Sequence, residues 1–189
     1  EIAEQLIGKV KSLSRIKVIH HFRPTKQAPP VIVAPLEKPR RFLALGASTG
    51  GPQAVLQLLR DLPRDLPASV LLVQHIAKGF AQGFAAWLNR ETPLRVKLAQ
   101  DGEPLLPGQV LVAPDGQHMR VVGQQIRLEA SPPLHNCRPA VDALYQSLVD
   151  DGLASDTVAV LLTGMGQDGA RGLEQLRQEG ALTLVQDED

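Results

Sequence analysis

Cysteine, aromatic residues, net charge and long apolar runs are all scarce in this chain, and each scarcity removes a class of function. A single cysteine, Cys137, excludes an internal disulfide and any cysteine-rich zinc centre. Phe, Trp and Tyr make up 3% of the 189 residues, too few stacking platforms for a surface that grips single-stranded nucleic acid. Twenty basic and twenty acidic side chains cancel, so overall electrostatics gives no reason to expect nucleic acid or an anionic membrane as partner. No apolar run approaches the roughly 20 residues of a membrane span, and the amino-terminal residues lack a signal-peptide pattern, so no membrane insertion is expected. What remains, 43% hydrophobic and 21% charged, is the composition of an ordinary globular protein large enough for one proper core. The cytoplasm is the expected location.

Proline, by contrast, is crowded into one place. Pro24, Pro29, Pro30, Pro35 and Pro39 forbid a regular helix or a central strand there and suit an extended tether over 23–39. Before it, Ile2, Leu6, Val10 and Leu13 recur at helical spacing. Residues 1–22 therefore read as the last helix of a preceding domain, and 40–189 as the folded unit. That unit predicts strands at 42–45, 70–74, 110–113, 118–122, 125–128, 158–163 and 182–186, and helices at 52–60, 80–91, 139–150 and 168–179. Continuous Val/Leu/Ala runs point to a parallel sheet covered on both faces. The expected fold is thus α/β, doubly wound and mostly parallel. The stretch 110–128, with its Gly123-Gln124 turn, reads instead as an antiparallel hairpin. A doubly wound unit that stops just after a strand also reads as truncated at its carboxyl end.

The chemistry concentrates in Gly46-Ala47-Ser48-Thr49-Gly50-Gly51-Pro52, between an apolar run and a helical pattern. A strand, a tight turn bearing serine and a new helix form the device by which α/β enzymes present a nucleophile. The same pattern suits a phosphate-binding turn, and Ser48 can also be a simple helix cap. His75 and Asp168 follow two other predicted strands in the same way. Carboxyl ends of parallel strands share one sheet edge, so hydroxyl, imidazole and carboxylate can converge there, as acyl transfer requires. Taken singly, His75 can be structural, and Asp168 can cap the helix 168–179. His118 and His135 compete for the role of base, His118 ranking lower because it lies within a predicted strand. Arg138 can attract a substrate carboxylate but is more often solvated, and Cys137 has no context that marks it as reactive.

The blocks Gly46-Ala47-Ser48-Thr49-Gly50-Gly51, Gln74-His75, Asp101-Gly102, Ala113-Pro114, His118-Met119, Arg138-Pro139-Ala140-Val141-Asp142 and Leu162-Thr163-Gly164-Met165-Gly166-Gln167-Asp168-Gly169-Ala170 occur in the order found in bacterial chemotaxis protein-glutamate methylesterases. From about residue 41 onward the chain resembles this CheB type. The resemblance implies a serine hydrolase that removes methyl groups from γ-glutamyl esters of chemoreceptors, releasing methanol; many members also deamidate receptor glutamines. It implies Ser48 as nucleophile, His75 as general base and acid, Asp168 as orienting carboxylate, and the Thr49 and Met165 amides as the oxyanion-binding pair. No cofactor and no metal are implied. Implied partners are a methylated receptor and, through a receiver domain preceding the tether, the histidine kinase of a chemotaxis or chemotaxis-like phosphorelay.

Two departures alter the rim. The family commonly carries Gln-His-Met-Pro where this chain has Gln74-His75-Ile76-Ala77, and Arg-His-Arg-Pro-Ser-Val-Asp where it has Asn136-Cys137-Arg138-Pro139-Ala140-Val141-Asp142. The order Ser, His, Asp also differs from the Ser, Asp, His of α/β-hydrolases. Two other readings stay open on the residues alone. One is a serine hydrolase of small esters or thioesters; the other is a non-catalytic domain binding a phosphorylated ligand at the Ser48 turn.

Overall fold

A computed structural model describes residues 39–162 and 166–186. The predicted helix 1–22, nearly all of the tether 23–39, and Met165 lie outside the described residues. The described residues form eight strands: β1 (Phe42–Ala47), β2 (Ser69–Gln74), β3 (Arg95–Leu98), β4 (Gln109–Val112), β5 (His118–Val122), β6 (Gln125–Glu129), β7 (Thr157–Leu161) and β8 (Leu182–Val185). Four α-helices among the described residues lie between them: α1 (Gly51–Asp61), α2 (Ala81–Glu91), α3 (Val141–Asp150) and α4 (Ala170–Gln178).

Six strands form one sheet in the order β3-β4-β2-β1-β7-β8, and every pairing in it is parallel. Alternation along the strands divides the core between two faces. Phe42, Ala44, Leu71 and Val73 meet Leu144, Tyr145 and Leu148 of α3 with Leu173 and Leu176 of α4. Leu45, Val70 and Leu72 meet Val55 and Leu59 of α1 with Phe84 and Leu88 of α2. Each fully buried leucine contributes about 1.5–3 kcal/mol through area removed from water. Helices thus cover both faces, as the continuous apolar strands predict.

From β1 the chain builds one side of the sheet, with β2 beside β1, β3 at the edge and β4 between β2 and β3, then returns to place β7 on the other side of β1. The helices after β1 and β7 therefore pack on opposite faces, which opens a crevice at the carboxyl ends of these strands.

The antiparallel hairpin is present with its Gly123-Gln124 turn, but it is shorter than the stretch 110–128. Strands β5 and β6 pair antiparallel in a separate two-stranded sheet. Residues 109–112 join the parallel sheet between β2 and β3, because Val110 and Val112 alternate onto a core face. Strand β3 is not foreseen at all. It is four residues long, carries Arg95 and Lys97, and has an exposed, buried, exposed rhythm at its start, as an edge strand with charges turned outward should.

Candidate active site

Register places the first two candidate residues at one level. Ala47 pairs with Gln74, so Ser48 and His75 leave adjacent strands together, and the His75 amide still donates to the Ala47 carbonyl at 2.8 Å. Beyond Ser48 the chain turns sharply. The Gly51 amide donates to the Ser48 carbonyl at 2.9 Å, and Gly50 takes the left-handed φ of 80° that the turn demands. Helix α1 has no side-chain cap, so Ser48 is not its capping residue.

The Gln74 carboxamide holds this corner. Buried at 3% exposure, it donates to the Ser48 carbonyl at 2.8 Å and to the His75 carbonyl at 2.9 Å. A β-carbon at position 51 would lie 2.3 Å from Gln74 Oε1, which explains why glycine stands there.

Asp168 arrives from the far side of β1, after β7. One carboxylate oxygen, Oδ2, accepts from His75 Nε2 at 2.8 Å and from the Val141 amide at 2.7 Å; the other accepts from the Asp142 amide at 2.9 Å. Asp168 therefore does not cap its own helix, whose preceding residue is Gly169. It caps the neighbouring α3, which has no other side-chain cap. Burial pushes its pKa up, but the hydrogen bonds from His75, Asp142 and Val141 outweigh burial and hold the carboxyl below its usual value. An ionised carboxylate can only accept, so the hydrogen between it and the ring belongs to Nε2. In its neutral form the His75 ring then carries its lone pair on Nδ1.

Ser48, His75 and Asp168 line one pocket of about 110 Å³, together with His135, Cys137 and the apolar Val141, Leu161 and Leu162. The structure thus brings together the three residues that spacing alone singles out. Thr49 is exposed in the turn directly after Ser48.

The competing histidines have other partners. His118 is 2% exposed; its Nδ1 accepts from the Ala140 amide at 3.1 Å and its Nε2 meets the Pro132 carbonyl at 3.0 Å. Both nitrogens thus hold the loop that leads into α3. His135 Nε2 pairs with Asp142 Oδ2 at 2.8 Å on the pocket rim. Arg138 donates to the Ala130 and Ser131 carbonyls, so part of its guanidinium serves the loop.

Cys137 is the neighbour that sequence reasoning passes over. A tight turn, with His135 at φ 50° and Asn136 at φ 61°, pairs Leu134 with Cys137 and sets Sγ 3.8 Å from His75 Nδ1. Burial, then the charge of Asp168, raise the thiol's pKa, so it rests protonated and is a poor nucleophile. The only advance signal is a cysteine on a loop opening at the same sheet edge.

A family profile described as CheB methylesterase matches residues 43–189. The chain is 38% identical, over its full length, to a protein of Methanospirillum hungatei named protein-glutamate methylesterase/protein-glutamine glutaminase 2, covering 56% of that relative. Over 99% of its length it is 44% identical to a Geobacter metallireducens protein of the same name numbered 4, covering 55% of it. The chain thus spans about half the length of the curated relatives it matches. Among solved structures, the Thermotoga maritima CheB methylesterase catalytic domain superposes with a TM-score of 0.76 at 34% identity, over 80% of this chain and 82% of that one. Likeness of that extent in sequence and in fold makes the chain a member of the CheB methylesterase family.

Proposed function

We propose that this chain hydrolyses γ-glutamyl methyl esters on a methylated chemoreceptor, with Ser48 as nucleophile. The observation that carries the reading is the Asp168–His75 pair, which turns Nδ1 toward the pocket that Ser48 and Cys137 line. Nδ1 takes the proton from Ser48 Oγ as the oxygen attacks the ester carbonyl. Negative charge develops on the carbonyl oxygen, where the Thr49 and Met165 amides are the proposed donors. The imidazolium then protonates the departing methoxide, and methanol leaves an acyl-serine. A water that gives its proton to Nδ1 attacks that ester and releases the glutamate and the free serine. Attack on a glutamine amide follows the same steps with ammonia leaving, in keeping with the glutaminase in the relatives' names.

Within the same proposal, 1–22 closes a receiver domain and 23–39 tethers it to the esterase. Phosphorylation by the pathway's histidine kinase would relieve the receiver's cover of the active-site face. The reading places the protein in the cytoplasm; among the described residues no helix is long and apolar enough to cross a membrane. Methanol release from a methylated receptor tests the activity. Ser48→Ala should slow turnover by about 10⁴-fold or more while the far-ultraviolet circular dichroism stays unchanged. Wild-type turnover in that variant would refute the reading.

A further inference from the structure

The ester chemistry uses the Nδ1 lone pair of His75 but leaves the thiol beside it without a task. We propose that His75 Nδ1 and Cys137 Sγ form a site for a thiophilic divalent cation of the zinc class, and that occupation of this site switches the esterase off.

Bite distance is the first support. Zinc bonds of about 2.0–2.1 Å to nitrogen and about 2.3 Å to sulfur put two tetrahedral ligands about 3.6 Å apart. The two atoms stand at 3.8 Å, so a side-chain adjustment of a few tenths of an ångström completes the chelate. Orientation is the second. Nε2 of the same ring is held by Asp168 at 2.8 Å, the carboxylate–histidine arrangement that fixes the tautomer and raises ligand basicity in metal sites. Candidate ligand atoms of His75, Cys137 and Asp168 all lie within 4.8 Å of one another. Donor type is the third, since imidazole with thiolate selects zinc-like ions over magnesium or calcium. Access is the fourth. His75 and Cys137 are only partly buried and line an open pocket, so a hydrated ion can enter and keep water at its two remaining positions.

The neighbouring His135, Asp142 and Asp168 group is also compact, but its carboxylates are occupied. Asp142 Oδ1 accepts from the Gly172 amide at 2.7 Å, and Asp168 Oδ1 accepts from the Asp142 amide. At the other site the ring nitrogen and the thiol face each other at 3.8 Å, and a metal would replace the thiol proton between them.

On binding, the Cys137 S–H bond breaks, a sulfur–metal bond forms, and one proton leaves to solvent. The metal then occupies the lone pair that would take the Ser48 proton, so metal and catalysis exclude each other. The binding stands on its own; only the inhibition rests on the proposed esterase activity.

Cobalt(II) serves as the spectroscopic probe on the full chain. The wild type and Ser48→Ala should both show a near-ultraviolet thiolate-to-cobalt charge-transfer band that zinc bleaches, and Cys137→Ser should show none. An absent band, or one that persists in Cys137→Ser, overturns the site. In the methanol-release assay, zinc at about 100 µM should lower wild-type turnover about tenfold and that of Cys137→Ser less than twofold. Magnesium should do neither, each rate being read against that of the same protein without metal. A zinc-bleached band with undiminished turnover overturns the inhibition. Failure of the esterase reading itself would appear separately, as unchanged turnover in Ser48→Ala.

Discussion

At Asp168 the largest single influence, burial, opposes ionisation, yet the bonds from His75 and from the Asp142 and Val141 amides prevail and lower the pKa. A carboxyl whose folded value lies below the unfolded value of about 3.9 adds stability above that value and loses it as pH falls through the folded one. The unfolding free energy of the wild type should therefore exceed that of Asp168→Asn most clearly above about pH 5. The gap should narrow in more acid solution, as read by urea denaturation across a pH series. An unchanging gap would contradict this account of the carboxylate. The same variant should lower kcat by about 10³–10⁴-fold, because an amide donating to Nε2 forces the ring into the wrong tautomer. Gln74 acts one step further from the chemistry, through the backbones of Ser48 and His75. Gln74→Leu removes donors from two carbonyls and should cost about 1–3 kcal/mol of stability. Its kcat should fall about tenfold with KM nearly unchanged, a split that a purely structural role would not produce. His75 and Asp168 were legible as residues because each follows an apolar run. The Gln74 clamp was not, since a glutamine ending a strand usually points at solvent.

Helix α3 shows how elements hold the site. Its first two amides are capped by Asp168 from another segment, and Val141 at its start fits a notch that only glycines leave open. A β-carbon at Gly46 would lie 2.4 Å from Val141 Cγ1, and one at Gly169, where φ is 95°, would lie 2.7 Å from it. Gly46→Ala should therefore destabilise by about 1–3 kcal/mol through overpacking. Adding Val141→Ala should recover part of that loss, because it deletes the methyl groups that clash. Thermal unfolding of the single and double variants checks this; no recovery would mean that the notch is not where the strain lies. Deeper along α3, the buried Tyr145 hydroxyl donates to the Val160 carbonyl at 2.8 Å and ties the helix to β7. Most of these elements could be read from periodicity, to within a residue or two at their ends. Helix α3 begins two residues later than expected, because Ala140 is extended. β4 was misplaced because a short apolar run ahead of a true hairpin looks like one of its arms. β3 was missed because four residues with two charges carry too little pattern.

For the molecule as a whole, function follows from topology. The strand order sends Ser48, His75 and Asp168 out at one edge, on either side of the switch between β1 and β7. That convergence was readable because parallel strands put all their carboxyl ends together, whatever the sequence separation. The contact of Cys137 with His75 was not readable, nor was the second pair His135–Asp142. Both depend on where the loop between β6 and α3 folds back, which no local pattern encodes. If Ser48, His75 and Asp168 work as one proton-transferring unit, as proposed, their kinetic effects must fail to add. Single-turnover demethylation would be measured for Ser48→Ala, His75→Ala, Asp168→Ala and the triple variant. The triple variant should be about as slow as the worst single one. Losses that multiply across the three positions would contradict it, since residues that act independently add their free energies.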